Sequence, residues 1–198
     1  MVGVSAAPPL PPLLLASSSP RRRELLSYLG LPFETIAPDV DEVGLPGEDP
    51  ADLVARLSEL KAAAVARSHP GALVIAADTI VVLDDQILGK PVDTDENRVF
   101  LQRLSGRTHH VYTGHHVSLG GQSGSETVRT AVTFRDLTPE LIEGYLRHGE
   151  GLDKAGGYAL QGVGGVLVDG LQGCYTNVIG MSLPAVERLA RRLGVHLV

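Results

Sequence analysis

A short apolar run, Leu13–Ala16, stops at Ser17-Ser18-Ser19-Pro20 and is followed at once by Arg21-Arg22-Arg23. No other stretch constrains the fold as tightly. The apolar run suits a strand that ends at a loop. Serine is favoured just before a helix and proline at its first position. The strand must therefore give way, within the serines, to a helix from Pro20 to Leu29 that ends at Gly30. That order opens an α/β unit and gathers hydroxyls, free backbone N–H groups and guanidinium groups at one helix start. Such donors hold phosphate oxygens. Successive helix residues point about 100° apart, so at most two of the three arginines can share one target.

The pattern continues along the chain. Phe33–Ile36 is a second strand candidate, followed by an acidic Pro/Gly-rich loop, Pro38–Glu48. Asp49-Pro50 caps and opens a long helix to about Ser68, with Leu53, Leu57, Leu60 and Ala64 at helical spacing. Leu73–Ala77 is a continuous apolar run, as in a strand buried on both faces, and it ends at Asp78-Thr79. Ile80–Leu83 and Ile87-Leu88 read as a hairpin. Asp93 and Glu96 form a capping-box pattern for a helix to Leu104. His110–Leu119 and Glu126–Phe134 read as paired strands around a turn at Gly120–Ser125. Thr138-Pro139 starts a helix that ends near Gly149. A glycine-dense stretch, Gly151–Gly173, holds a strand expected at Val166–Val168. A last helix, Leu183–Leu193, precedes a last strand at Val195–Leu197. Alternating elements predict an α/β protein with a mixed sheet and a cleft between two lobes.

Bulk properties limit the function. The 198 residues suffice for one domain, and 43% hydrophobic content suffices for its core. The net charge of −6 disfavours non-specific DNA or RNA binding, which needs positive charge, but allows a local cationic pocket for a small phosphorylated ligand. Cys174 is the one cysteine, so no internal disulfide forms, as suits a reducing compartment. The Pro-rich leader, residues 1–12, carries no basic residue and is read as a disordered tail rather than a signal peptide. No apolar run is long enough to span a membrane. The expected setting is cytoplasmic, with residues 13–198 as a single domain.

Several residues carry chemistry, each with a plainer alternative. Asp78, expected at the carboxyl end of a buried strand, suits a metal ligand or proton acceptor, or a turn cap. Lys90, between Gly89 and Pro91, could face a phosphate or be an ordinary turn lysine. Lys61 lies among alanines on the long helix, where a lysine is usually solvated. Asp39, Asp41 and Glu42 could help hold a metal, or simply solubilise their loop. The segment Asp153–Gly162 mixes a charge pair, glycines that permit close approach to a ligand, and Tyr158. His109-His110 and His115-His116 lack helical ligand spacing and read as surface or core. Cys174 reads as a small buried hydrophobe. Gly162-Val163-Gly164 is no dinucleotide fingerprint, and neither a P-loop nor a Gly-x-Ser-x-Gly elbow occurs.

Together these pieces resemble the Maf family of nucleoside triphosphate pyrophosphatases. The resemblance lies in Ala16-Ser17-Ser18-Ser19-Pro20-Arg21-Arg22, Asp41-Glu42, Lys61-Ala62, Ala77-Asp78-Thr79, Gly89-Lys90-Pro91, Leu104-Ser105-Gly106, Asp153-Lys154-Ala155-Gly156, Gln161-Gly162 and Asn177-Val178-Ile179-Gly180. The motifs stand in the family's order and cover about Leu13–Leu193. The resemblance implies a long bent mixed β-sheet flanked by helices, with two lobes around a cleft, and often a homodimer. It implies hydrolysis between the α- and β-phosphates of a nucleotide with a divalent metal, Mg²⁺ or Mn²⁺, held by Glu42 and Asp78. Asp78 corresponds to the proton acceptor, and Ser17, Arg22, Lys61 and Lys90 to phosphate-side positions. Arg21, Thr79 and Gln161 match the branch acting on dTTP and UTP, with modified pyrimidine nucleotides and a house-cleaning or cell-division role as extensions. Cys174 and Ser182 depart from the family pattern, where serine and proline are common. A nucleotide sensor without activity and a terminal-phosphate phosphatase remain as alternatives.

Overall fold

The computed structural model describes residues 10–198. The leader's first nine residues lie outside the described residues. Strand β1, Leu13–Ala16, leads through the serines into helix α1, Pro20–Ser27. Ser19 caps α1 by accepting from the Arg22 N–H, and Pro20 takes the first position. Strand β2, Glu34–Ile36, and the acidic loop follow. Helix α2, Pro50–Ala66, is capped by Asp49, whose side chain accepts from the Ala51 N–H at 2.8 Å. Then come β3, Leu73–Leu83, β4, Gln86–Leu88, and helix α3, Thr94–Leu104. Strands β5, Thr108–Leu119, and β6, Gln122–Phe134, precede helix α4, Pro139–Leu146. Two short 3₁₀ turns, Ala155–Gly157 and Gly162–Leu167, lead to β7, Val168–Gln172, α5, Tyr175–Ile179, and α6, Leu183–Arg192.

The seven strands form one mixed sheet in the order β2-β1-β3-β5-β6-β7, with β4 added on β3. β1 runs parallel to both neighbours, whereas β5, β6 and β7 are antiparallel. β3 is the organising strand. One of its edges pairs with β5 from Val74 to Val82. Its other edge is shared: β1 takes Leu73–Ile75 and β4 takes Val81–Leu83. Between those partners, around Asp78, that edge carries no strand among the described residues.

Alternation along β3 assigns the core. Leu73, Ile75 and Ala77 pack with Leu25 and Leu26 of α1 and Val186 and Leu189 of α6. Val81 and Leu83, on the same face further along, pack with Leu101 and Leu104 of α3 and Tyr145 of α4. Thr79 falls between these two clusters. On the opposite face, Val74, Ala76, Ile80 and Val82 pack under α2, through Val54, Leu57, Ala62 and Val65. The two clusters flanking Thr79 are the two lobes, and the cleft opens between them.

Four expectations need correction. β3 does not stop at Ala77: the apolar pattern resumes at Ile80, so Asp78 and Thr79 are mid-strand and Ile80–Leu83 is no separate element. The β5–β6 turn is only Gly120-Gly121, because Leu119 pairs with Gln122. The strand expected at Val166–Val168 starts at Val168, since Gly162–Leu167 coils as 3₁₀ first. Val195–Leu197 forms no strand, although Val195 and Leu197 are buried against the first cluster. Helix α5 is an addition: five residues between Cys174 and Gly180 give too little periodicity to read.

Candidate active site

The gap on the edge of β3 opens into a cleft of about 270 Å³. All nine side chains to which the resemblance gives a role line it: Ser17, Arg21, Arg22, Glu42, Lys61, Asp78, Thr79, Lys90 and Gln161. Asp78 and Thr79 explain how such distant segments meet. As neighbours on a strand they point to opposite faces, and the missing edge partner lets both reach one cavity.

On the α2 face, Lys61 Nζ donates to Asp78 Oδ1 at 2.6 Å and lies 2.7 Å from Glu42 Oε2. Lys61 is 4% exposed and Asp78 5%. The plainer alternative for Lys61, a solvated helix lysine, is therefore overturned: the ammonium is buried because two carboxylates compensate it. Glu42 reaches in from the acidic loop and stays half-exposed. Its neighbours Asp39 and Asp41 do not line the cleft.

On the other face, Arg22 is tied along its whole guanidinium. Nε donates to Gly180 O at 2.8 Å, Nη2 to Thr79 Oγ1 at 3.1 Å and Nη1 to Ser17 Oγ at 3.5 Å. Burial pushes its pKa below the ordinary arginine value, and the Asp78 charge opposes that shift. Thr79 Oγ1 also lies 3.0 Å from Thr113 Oγ1 and 3.2 Å from Gly180 O. Its hydroxyl is thus engaged in holding Arg22. Arg21 projects to the mouth, 3.2 Å from Asp153 Oδ2, and Arg23 lines a separate outer groove. Two of the three arginines line one cleft, within the limit that helix geometry sets.

Ser17 Oγ accepts from the Ser19 N–H at 3.1 Å as well as from Arg22, which leaves its own hydrogen for a ligand. Lys90 follows β4 on the far rim, exposed and without an ion pair among the described residues. Its loop is fastened to the glycine-rich segment, for Gly156 N–H donates to Gly89 O at 3.0 Å. The Gln161 side chain makes no hydrogen bond to the protein among the described residues, so its amide faces the cleft unspent.

The Maf-like protein family model matches residues 12–193. The chain belongs to the Maf family. It is 52% identical over 191 residues to a protein of Deinococcus radiodurans named dTTP/UTP pyrophosphatase, covering 93% of this chain and 94% of that one. Proteins of the same name from Myxococcus xanthus and Moorella thermoacetica are each 51% identical, over 187 and 188 residues, with 93% of this chain covered and 94% and 96% of theirs.

Two residues in or beneath the cleft of this Maf protein have no role assigned from the sequence. Lys154 lines the cleft with its Nζ on Glu150 O and Asp153 Oδ1, both at 2.5 Å. The Asp153-Lys154 charge pair beside glycines was a visible signal for it. Asn177 is fully buried under the site, donating to Val111 O and Thr130 Oγ1, both at 3.1 Å, while Thr113 donates to its carbonyl at 3.1 Å. A buried asparagine has no sequence signal apart from its motif.

His109 and His115 take internal partners, although the buried Nδ1 of His109 has none among the described residues. His115 Nε2 accepts from the Ser182 N–H at 2.8 Å and Nδ1 meets Glu126 O at 3.0 Å, so the proton sits on Nδ1. His109 Nε2 is 2.7 Å from the Tyr158 hydroxyl. Burial pushes both rings down to about 4. Cys174 is not the buried hydrophobe expected: it is half-buried, with Sγ 3.3 Å from Thr176 Oγ1 and 3.4 Å from Ser182 Oγ. The two departures from the family pattern, Cys174 and Ser182, are therefore in contact with each other and outside the cleft.

Proposed function

We propose that this chain is a nucleoside triphosphate pyrophosphatase that hydrolyses dTTP and UTP, and modified pyrimidine nucleotides of the same shape, to the monophosphate and pyrophosphate. One juxtaposition supports the reading. Asp78 has one oxygen on Lys61 and no protein hydrogen bond on the other among the described residues, and it stands amid Arg21, Arg22, Lys61 and Lys90 in a chain of net charge −6. A cationic pocket in an acidic protein suits a small polyanion, and a carboxylate with a free oxygen suits proton transfer. The printed names of the relatives support the choice of nucleotides.

In this mechanism Asp78 Oδ2 accepts a proton from water as the water oxygen bonds to the α-phosphorus. The bond from that phosphorus to the bridging oxygen breaks, and pyrophosphate leaves with the electron pair. Arg22, Lys90 and the Ser17 hydroxyl hold the phosphate oxygens and stabilise the charge that develops on the leaving group. Lys61 fixes Asp78. Arg21 and Gln161 select the base: the Gln161 amide, with a donor and an acceptor, matches a uracil or thymine edge. Thr79 acts by holding Arg22 rather than by facing the base.

The donor chemistry suits a hard divalent cation. Glu42 Oε2 and Asp78 Oδ1 both lie on the Lys61 ammonium, and the second oxygen of each carboxylate has no protein partner among the described residues; no group of three acidic, histidine or cysteine ligands occurs among those residues, so phosphate oxygens and water would complete the shell. Mg²⁺ or Mn²⁺ bound by these two side chains would supply charge neutralisation on the phosphates. A homodimer and a cytoplasmic setting belong to the same proposal. No helix among the described residues is long and apolar enough to cross a membrane.

Incubation with a panel of nucleotides and Mg²⁺, with the products identified, tests this reading. Pyrophosphate and monophosphate from dTTP and UTP support it. Orthophosphate release points to a terminal-phosphate phosphatase, and binding without products points to a sensor.

A further inference from the structure

We infer that Glu150, outside the cleft lining, is the positioning residue that aims Gln161 at the base. The inference rests on the proposed role of Gln161 as base reader.

Gln161 occupies the position just before the 3₁₀ turn Gly162–Leu167, yet its side chain makes no capping hydrogen bond. The first N–H groups of any helical turn lack internal acceptors, and the residue at that position usually spends its own side chain on them. Here Glu150 does so instead. Its Oε1 accepts from the Val163 N–H at 3.2 Å and its Oε2 from the Gly164 N–H at 2.9 Å. The carboxylate thereby frees the Gln161 amide for the cleft. It also fixes the direction of the backbone that carries that amide.

The fit around Glu150 is close. A Cβ on Gly162, where φ is +81°, would stand 2.2 Å from Glu150 Oε1. Only a residue without a side chain allows the carboxylate to lie against the turn. The other end of the segment is also anchored: Tyr158 by His109, and the Ala159 N–H by the Tyr145 hydroxyl at 3.3 Å. Glu150 is therefore the one acidic anchor on the Gln161 side of the loop among the described residues, and its carbonyl holds Lys154 as well.

The test compares Glu150→Gln, Gly162→Ala and Gln161→Ala by their kcat/KM ratio for dTTP over dCTP, with kcat and KM separated. Glu150→Gln replaces one acceptor oxygen by an NH₂ that opposes a backbone N–H, and Gly162→Ala displaces the same turn from the other side. Both should lower the ratio about tenfold or more, mainly through KM, as Gln161→Ala should. A role confined to stability would lower the melting temperature and leave the ratio unchanged. If Gln161→Ala lowers the ratio while Glu150→Gln and Gly162→Ala do not, the inference is overturned and the role of Gln161 stands. If Gln161→Ala itself leaves the ratio unchanged, the base-reading role fails and the inference with it. Should Glu150→Gln not fold, Gly162→Ala decides.

Discussion

At the scale of single residues, the triad Glu42, Lys61 and Asp78 is unequal. Lys61 has two carboxylate partners, whereas Asp78 has only Lys61. Removing Asp78 leaves the buried ammonium with Glu42, but removing Lys61 leaves a buried carboxylate alone. Asp78→Asn should therefore keep the fold and lose on the order of 10²–10⁴-fold in kcat. Lys61→Ala should cost about 3 kcal/mol of stability as well as activity. Denaturant titration alongside steady-state kinetics separates the two; equal stability losses would contradict the asymmetry. The histidines give a second prediction. His109 and His115 have native values near 4, against about 6.5 unfolded. The unfolded chain then binds more protons between those values, so stability is full above about pH 6.5 and falls as the pH drops toward 4. The loss should be about 2 kcal/mol per histidine between pH 7 and pH 5. Unfolding curves across that range check it, and His115→Gln should remove its share of the slope.

Element placement decides what was legible in advance. The first strand, its serines and α1 could be read from Leu13 to Arg23 because apolar run, cap and proline all agree. The Asp49 cap of α2 and the Asp93 cap of α3 were legible for the same reason. Asp78 was recognised but misplaced, since Asp-Thr resembles a strand end when only local sequence is considered; pairing with β5 carries β3 straight through. Lys61 looked solvated because burial depends on partners far away in sequence. A related non-local demand sits on β5. A Cβ at Gly114 would stand 2.1 Å from Val54 O, so α2 can lie against β5 only with glycine there. Gly114→Ala should push α2 outward, cost about 1–3 kcal/mol, and reduce activity because Lys61 rides on that helix. Thermal unfolding and kinetics of the variant check both; unchanged activity would show that Lys61 tolerates the shift.

For the whole molecule, the decisive feature is the gap that β1 and β4 leave on one edge of β3. It lets α1 and α2, on opposite faces of the sheet, serve one cavity, with the rim loops at Lys90 and Gln161 closing around it. The ordered motifs foretold which residues belong together, and only the sheet shows how they do. Cations concentrated in a net acidic chain also make triphosphate binding salt-sensitive: the KM for dTTP should rise several-fold between about 50 and 300 mM salt, with little change in kcat. The phosphorus that water attacks decides the mechanism most directly. Hydrolysis of dTTP in oxygen-18 water, followed by mass analysis of both products, should give dTMP carrying one heavy oxygen and unlabelled pyrophosphate. Heavy oxygen in the pyrophosphate, or dTDP with orthophosphate, would contradict it.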